Sequence, residues 1–257
     1  MTQQERRRFL IQHLLDENPS YHDVHLPDDA AQQRQLLRGL MNIRAPGACS
    51  PAFLRVQDDY LQVALAEKPV TDAESLPFLR PGMCLWQGDI TTLRCDAIVN
   101  AANSGMTGCY VPNHRCIDNA IHTYAGVQLR QACAALMERP GRPEPTGQAK
   151  ITPAFNLPCR YVLHTVGPII EGRVTARDEA LLASCYQSCL ELAAETQLES
   201  VAFCCISTGE FRFPNERAAE IAVGTVEAFL RQKTSVRRVI FNVFKDIDRV
   251  IYERLLR

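Results

Sequence analysis

The feature that most constrains this chain is a regular alternation of short apolar strands with helix-length patterns from Pro81 onward. Such alternation is typical of a mostly parallel sheet with helices packed on both faces. The predicted strands cover 83–88, 97–100, 149–154, 161–166, 200–206 and 239–244. The predicted helices cover 117–137, 180–194, 215–231 and a short C-terminal segment. In the first of them, only Gly126 interrupts the helical pattern. We therefore predict an α/β domain over residues 81–257.

Residues 1–80 follow a different pattern, in which apolar residues recur at helical spacing. Leu10 and Leu14 lie one turn apart, for example. Ser50 followed by Pro51 is typical of an N-cap before a proline at the first helical position. We predict a helical N-terminal extension, which could cover a pocket, recruit a partner or only enlarge the core.

The composition narrows the classes of partner. With 28 basic and 29 acidic residues the net charge is -1, so the dense basic surface of a nucleic-acid-binding protein is not expected. No run approaches the roughly 18 apolar residues of a membrane span, and the first 20 residues lack a signal-peptide pattern. Eleven cysteines at irregular spacing argue against a disulfide framework and predict a reducing, cytoplasmic location.

Several predicted strands end in loops suited to a phosphorylated sugar. Ligands of such folds bind at the carboxyl ends of the strands. Glycines there allow close approach to phosphate, helix N-termini offer N–H groups, and asparagines can bond sugar hydroxyls. The loops are Gly-Asp-Ile-Thr from residue 88, Asn-Ala-Ala-Asn-Ser-Gly from 100, Gly-Pro from 167 and Ser-Thr-Gly-Glu-Phe-Arg-Phe-Pro from 207. Together they indicate a site for a nucleotide diphosphate sugar, although each alone is also an ordinary turn.

One loop carries a sharper signal, because Cys109, His114 and Cys116 lie within eight residues before a predicted helix. Two thiolates and an imidazole suit zinc. Structural zinc sites normally have four protein ligands, whereas catalytic sites have three and keep one position open. We therefore expect one zinc ion with an open position. The alternatives are a purely structural zinc and two cysteines that lie there by chance.

An acidic residue follows this loop directly. Asp118 lies in the first turn of the predicted helix, where the helix dipole stabilises its negative charge. It could also position or deprotonate a water molecule beside the metal. His122 lies one turn further along, and a buried structural role is favoured for it over that of a fourth ligand.

These motifs resemble the macrodomain family between Trp86 and Phe244. The matching segments are GDIT, VNAAN, CIDNAIH, TGQAKIT, HTVGP and ISTGEFRFP. Many macrodomains have a run of glycines where this chain has GCYVPNHRC, and that replacement resembles the zinc-containing branch, which also tends to have a helical N-terminal extension. The resemblance implies a three-layer α/β fold with a mixed, mostly parallel central sheet between helices.

The resemblance also implies where ADP-ribose binds. Asp89 and Ile90 would contact the adenine, and Phe244 or the neighbouring Asn242 would border the adenine or its ribose. Asn100 and Asn103 would lie near the distal ribose. The main-chain N–H groups of one loop would wrap the diphosphate: Ser207, Thr208, Gly209, Glu210 and Phe211.

The implied activity is zinc-dependent hydrolysis that removes mono-ADP-ribose from modified protein side chains. Cys109, His114 and Cys116 would hold the zinc, and Asp118 and Asn103 would be catalytic. Members of the branch are associated with sirtuin-type transferases and lipoyl-carrier proteins, which makes such a carrier a candidate substrate. The alternatives are a reader module that binds ADP-ribose without turnover and an O-acyl-ADP-ribose deacylase.

The chain departs from the family pattern at Arg212, where many macrodomains have a glycine between two aromatic residues. The larger side chain could alter the approach to the diphosphate or add a cation to it.

Overall fold

The structure is a computed structural model that describes residues 1–21, 23–138, 141 and 143–257. Its helices are α1 Gln3–Asp16, α2 Ala30–Ile43, α3 Pro51–Ala66, α4 Ile117–Ala125, α5 Val127–Glu138, α6 Ala176–Glu195, α7 Asn215–Leu230 and α8 Asp246–Leu255. Its strands are β1 Thr71–Asp72, β2 Phe78–Arg80, β3 Met83–Gln87, β4 Leu93–Arg94, β5 Ala97–Ala102, β6 Ala149–Pro153, β7 Tyr161–Val166, β8 Ser200–Phe203 and β9 Arg238–Val243.

Seven strands form one mixed sheet in the order β2-β3-β9-β8-β5-β7-β6. The five inner strands run parallel to one another, and the two edge strands, β2 and β6, pair antiparallel with their neighbours. Helices flank the sheet: α4 contacts β5, α6 contacts β6 and β7, and α8 contacts β3 and β9. The predicted α/β fold with a mostly parallel sheet between helices is confirmed.

The inner strands are near-continuous apolar runs because both faces of the sheet are covered. Every residue of β8 and β9 is buried, as are all those of β5 except Ala101, which is partly buried. Their parallel direction brings the ends of β3, β5, β7, β8 and β9 to one edge of the sheet. The loops that the sequence singled out therefore share that edge.

The predicted helix over 117–137 is two helices, α4 and α5, separated at Gly126. This glycine has φ 94° and ψ 171°, a conformation that side-chain-bearing residues rarely adopt. A Cβ here would lie 2.6 Å from the side-chain amides of Gln57 and Gln128, so polar groups from two helices fill the space that a side chain would need. The prediction of a single helix was wrong because periodicity alone does not detect such a tertiary contact.

The N-terminal helices form as their capping residues predict. Ser50 caps α3 by accepting a hydrogen bond from the N–H of Phe53, and Pro51 occupies the first turn. Helices α1 to α3 bury their own apolar cluster, which Val127 of α5 joins. The division into 1–80 and 81–257 remains a proposal. Two strand pairings cross it, since β1 pairs with β4 and β2 pairs with β3. No helix in the described ranges is long and apolar enough to cross a membrane.

Candidate functional site

A buried carboxylate lies at the centre of the candidate site. Asp118 is in the first turn of α4, and its side chain is only 7% exposed. Asn100 Nδ2 donates to Asp118 Oδ1 at 2.9 Å, and Asn103 Nδ2 donates to Oδ2 at 3.2 Å. Burial raises the pKa of Asp118 to about 6, although both amides and the charge of Arg130 oppose the shift. The two oxygens of the carboxylate are thus fixed by two residues of one strand and the turn after it.

The two asparagines differ in position. Asn100 lies inside β5 and is fully buried, with its amide between Asp118 and His164, whose Nδ1 is 3.2 Å away. Asn103 follows the end of β5, and its Nδ2 also donates to Gly108 O at 3.0 Å. The predicted strand ended at residue 100, two residues too early. The geometry therefore leaves Asn103 nearer to the open edge of the sheet and gives Asn100 an orienting position beneath Asp118.

The loop before α4, residues 107–116, is called the metal loop here. The ligand atoms of Cys109, His114 and Cys116 all lie within 4.8 Å of one another, and all three residues are partly buried. Cys109 Sγ is 3.6 Å from His114 Nδ1. Cys116 is the N-cap of α4, where its Sγ accepts from the N–H of Asn119 at 3.4 Å. The fold thus brings together the three ligands that the sequence predicted.

The donor set and its spacing fit zinc. A tetrahedral zinc with metal–sulfur distances of about 2.3 Å and metal–nitrogen distances of about 2.0 Å separates sulfur from nitrogen by roughly 3.5 Å. Burial raises the pKa of the Cys116 thiol to about 12, and the nearby Cys109 and Asp118 add to the shift. A cation would reverse this effect, because metal-bound thiols lose their protons. Two sulfurs and an imidazole nitrogen within 4.8 Å of one another are a donor set that suits a cation.

The second nitrogen of His114 points away from the two cysteines. His114 Nε2 lies 3.7 Å from Glu210 Oε1, in the loop after β8. A carboxylate on the outer nitrogen of a metal-binding histidine fixes the orientation and tautomer of the ring. Glu210 was predicted to contribute its main chain to diphosphate binding, and its side chain also connects that loop to the metal loop.

The loop after β8 has the shape of an anion cradle. Ser207 and Arg212 both have positive φ, 64° and 59°. The main-chain N–H groups of residues 209–211 donate to no acceptor within the part of the chain that the structure describes. The loop leads into α7, whose N-terminus has no side-chain cap. Consecutive free N–H groups next to a helix N-terminus suit a phosphate.

Two local details of this loop bear on the sequence predictions. A Cβ on Gly167 would lie 2.0 Å from Ser207 Oγ, so the Gly-Pro loop after β7 needs a glycine to approach Ser207. Arg212 is exposed and adopts the left-handed conformation in which glycine is favourable, which gives a physical reason for the family's usual glycine. Thr208 turns its hydroxyl back to Cys205 O at 3.0 Å.

The predicted adenine end lies at the carboxyl ends of β3 and β9. Asp89 Oδ1 accepts from the N–H and hydroxyl of Thr91, at 3.0 and 2.6 Å. Its other oxygen lies 3.4 Å from Lys68 Nζ. The Ile90 side chain is buried, which leaves its main chain for any contact with a base.

Two further residues lie at this end of the sheet. Phe244 is 77% exposed, an unusual position for a phenyl ring unless a ligand or partner covers it. Asn242 Nδ2 donates to Gly88 O at 3.0 Å, so its amide holds the β3 loop. This places Phe244 at the surface and Asn242 in a supporting role.

Lys68 and Arg130 were missed by sequence reasoning. Lys68 lies directly after α3 and its Nζ is 3.9 Å from the centre of the Tyr124 ring, so the extension supplies a cation beside Asp89. Arg130 donates from Nε to Thr107 O at 2.7 Å and covers the Tyr110 ring at 4.3 Å. Neither residue lies in a motif, and only the packing of their helices reveals them.

A second group of possible ligands lies beneath the sheet edge. His122, Cys133 and His164 also bring their ligand atoms within 4.8 Å of one another, but all three are buried. His164 already uses both ring nitrogens, towards Asn100 at 3.2 Å and Thr152 at 2.9 Å.

The chain is similar to known proteins over most or all of its length. Residues 99–222 match the family model described as Macro domain. A protein-ADP-ribose hydrolase of Treponema medium is 59% identical over 260 residues, which is 100% of both chains. Another, from Staphylococcus aureus strain MSSA476, is 48% identical over 250 residues, covering 96% of this chain and 94% of the relative. A solved point mutant of the Oceanobacillus iheyensis macrodomain with ADPR is 39% identical with a TM-score of 0.62, covering 68% of this chain and 91% of that one.

Proposed function

Since this chain belongs to the macro domain family, we propose that it is a zinc-dependent hydrolase that removes mono-ADP-ribose from modified protein side chains. Relatives of nearly equal length, at 59% and 48% identity, are described as protein-ADP-ribose hydrolases. The observation that carries the proposal is the metal loop running directly into α4, where the amides of Asn100 and Asn103 hold the Asp118 carboxylate.

The substrate would lie along the carboxyl edge of the sheet. The free N–H groups of residues 209–211 would bind the diphosphate, with Ser207 and Thr208 shaping the loop. Asp89 and the main chain of Ile90 would bind the adenine, bordered by Phe244. The distal ribose would then reach the metal loop and Asn103.

Asp118 would orient the attacking water and accept its proton. The water oxygen bonds to the anomeric carbon of the distal ribose, or to the carbonyl carbon of an ester link, and the bond to the modified side chain breaks. In attack at the anomeric carbon, Asp118 returns the proton to the leaving side chain and ADP-ribose keeps the water oxygen. In attack at the ester carbonyl, the ribose oxygen leaves with that proton and the side-chain carboxyl keeps the water oxygen. Free ADP-ribose is a product of both routes. A zinc ion held by Cys109, His114 and Cys116 would supply Lewis acidity towards a ribose hydroxyl or water.

The partner would be a mono-ADP-ribosylated protein in the cytoplasm. A lipoyl-carrier protein modified by a sirtuin-type transferase is our candidate substrate. No observation favours a nucleic acid, since the net charge is -1.

The test measures release of ADP-ribose from mono-ADP-ribosylated proteins linked through acidic, serine or arginine side chains. Wild type is compared with Cys116→Ala and with wild type after chelation. Release by untreated wild type alone is expected. Release that survives both chelation and Cys116→Ala would overturn the role of zinc. Tight binding of ADP-ribose without release from any linkage would favour a reader module, and turnover of O-acyl-ADP-ribose alone would favour a deacylase.

A further inference from the structure

Helix α2 of the N-terminal extension lies against the metal loop through polar contacts. We propose that α2 is a brace that holds the metal loop in its ligand-binding conformation, with Arg38 and Asn42 as positioning residues. The inference rests on the proposed metal site. It adds a role to those that the sequence left open for the extension, since a helix that only enlarged the core would need no polar contacts with the loop.

Arg38 contacts the loop at a ligand residue. Its Nη2 donates to the main-chain carbonyl of His114 at 3.0 Å and to Asn119 Oδ1 at 2.9 Å. Asn119 in turn donates from Nδ2 to Val111 O at 3.1 Å and from its main-chain N–H to Cys116 Sγ at 3.4 Å. One guanidinium group therefore ties the main chain of one ligand to the residue that bonds another.

Asn42 holds the turn next to the histidine. Its Oδ1 accepts from the N–H of Asn113 at 2.9 Å, and its Nδ2 donates to Thr123 Oγ1 of α4 at 2.9 Å. Asn113 has φ 58°, in the left-handed region that asparagine adopts more readily than most residues with a side chain. Asn42 is 1% exposed, so its hydrogen bonds form away from competing water and fix this turn relative to α4.

Helix α2 and the metal loop pack closely against each other. A Cβ on Gly39 would lie 3.2 Å from Asn113 Nδ2, so the glycine lets α2 approach the loop. Arg130 holds the same two parts together from the other side. Its Nη1 donates to the carbonyls of Asn42 and Arg44 at 2.7 and 2.6 Å, while its Nε reaches Thr107 at the start of the loop.

The two faces of α2 make different contacts. Leu37, Leu40 and Met41 pack into the apolar cluster of α1 to α3. Arg38 and Asn42, one helical turn apart, bond the metal loop and α4. Ligands already held in place need not be ordered when the metal binds, so loss of the brace should weaken metal binding while the fold survives.

The test is a titration of the metal-free full chain with Co²⁺, followed by the sulfur-to-cobalt charge-transfer and ligand-field bands. Arg38→Ala and Asn42→Ala should each weaken Co²⁺ binding by about 10- to 100-fold and alter the ligand-field band. Arg34→Ala is the matched control, because Arg34 is exposed one turn earlier on α2. It should bind Co²⁺ like wild type.

Leu37→Ala separates bracing from stability. Leu37 is buried in the N-terminal cluster, so its truncation should lower Tm yet leave Co²⁺ affinity unchanged at temperatures where the variant is folded. The brace is overturned if Arg38→Ala and Asn42→Ala match wild type, or if Leu37→Ala weakens Co²⁺ as much as they do. Wild type that fails to bind Co²⁺ would instead remove the proposed metal site and the brace together.

Discussion

Two groups of cysteine and histidine side chains lie on either side of Asp118. The group in the metal loop is Cys109, His114 and Cys116, and the buried group is His122, Cys133 and His164. In each, the ligand atoms lie within 4.8 Å of one another, yet the first group is partly exposed and the second is buried. The two groups contain similar ligand types at similar distances, and they differ in access and in the hydrogen bonds that His164 already makes.

The buried group already serves the fold. Both nitrogens of His164 have partners, and burial raises the pKa of the Cys133 thiol to about 12. His122 Nε2 lies 3.5 Å from Asp118 Oδ1, so this group supports the carboxylate from beneath. The comparison teaches that closeness of ligand atoms is not enough, because a metal also needs free lone pairs and a path of entry.

The largest expected effect separates the two groups directly. Cys116→Ala should abolish metal binding and lower turnover by at least about 100-fold, since a ligand matters more than its neighbours. Cys133→Ala should keep one metal per chain, because the buried group holds none. Metal content by mass spectrometry decides this. A Cys133→Ala protein without metal, or Cys116→Ala with a full complement, would break the comparison.

Asp118, which lies between the two groups, should affect turnover and not metal binding. Asp118→Ala should lower turnover by about 10²- to 10⁴-fold, the usual contribution of a positioned acid or base. Its metal content and affinity for ADP-ribose should stay close to wild type, because neither the thiols nor the diphosphate loop is altered. Calorimetric titration with ADP-ribose accompanies the rate measurement. Unchanged turnover would contradict the assignment of Asp118.

The buried histidine His164 should affect how the free energy of unfolding falls as the pH is lowered. Burial lowers the pKa of His164 to about 3. As pH falls below the ordinary value of about 6.5, the unfolded chain gains a proton that the folded chain does not, so stability is lost by about 1.4 kcal/mol per pH unit until about pH 3. His164→Asn keeps an acceptor for Asn100 and removes this titration.

Between pH 7 and 5, the free energy of unfolding should fall by about 2 kcal/mol less for His164→Asn than for wild type. Urea unfolding at each pH measures it. His122 is retained in both proteins. Burial is the largest cause of its lowered pKa and His164 a smaller one, so most of its contribution cancels in the difference. Parallel pH profiles for the two proteins would contradict the buried, uncharged state of His164.

The smallest effect concerns the outer nitrogen of His114. Glu210→Gln removes a carboxylate charge 3.7 Å from Nε2 while keeping the side-chain shape. Because Glu210 is 75% exposed, we expect turnover to fall by no more than about 10-fold. Glu171→Gln, an exposed substitution after β7, is the control. A loss equal to that of Cys116→Ala would make Glu210 more than an orienting partner.

Local patterns predicted much of the fold. The helix start at Ser50 formed as predicted, because an N-cap depends on hydrogen bonds within four residues. The inner strands formed close to their predicted positions, since burial on both faces requires apolar runs. The antiparallel edge strand β2 was not predicted. The helix over 117–137 divides at Gly126, where Gln57 of the distant helix α3 meets Gln128 of α5.

The sequence by itself determined which residue types stand at the carboxyl edge: the three proposed metal ligands in one loop, the acid after it and the glycines near the loop after β8. Only the tertiary structure decided that Asn100 and Asn103 bind opposite oxygens of Asp118, and that Arg38 and Asn42, more than 70 residues earlier, contact the metal loop. The physical reason is distance along the chain. A loop motif places its ligands within a few residues, whereas contacts between α2 and that loop exist only after both helices have packed on the same core.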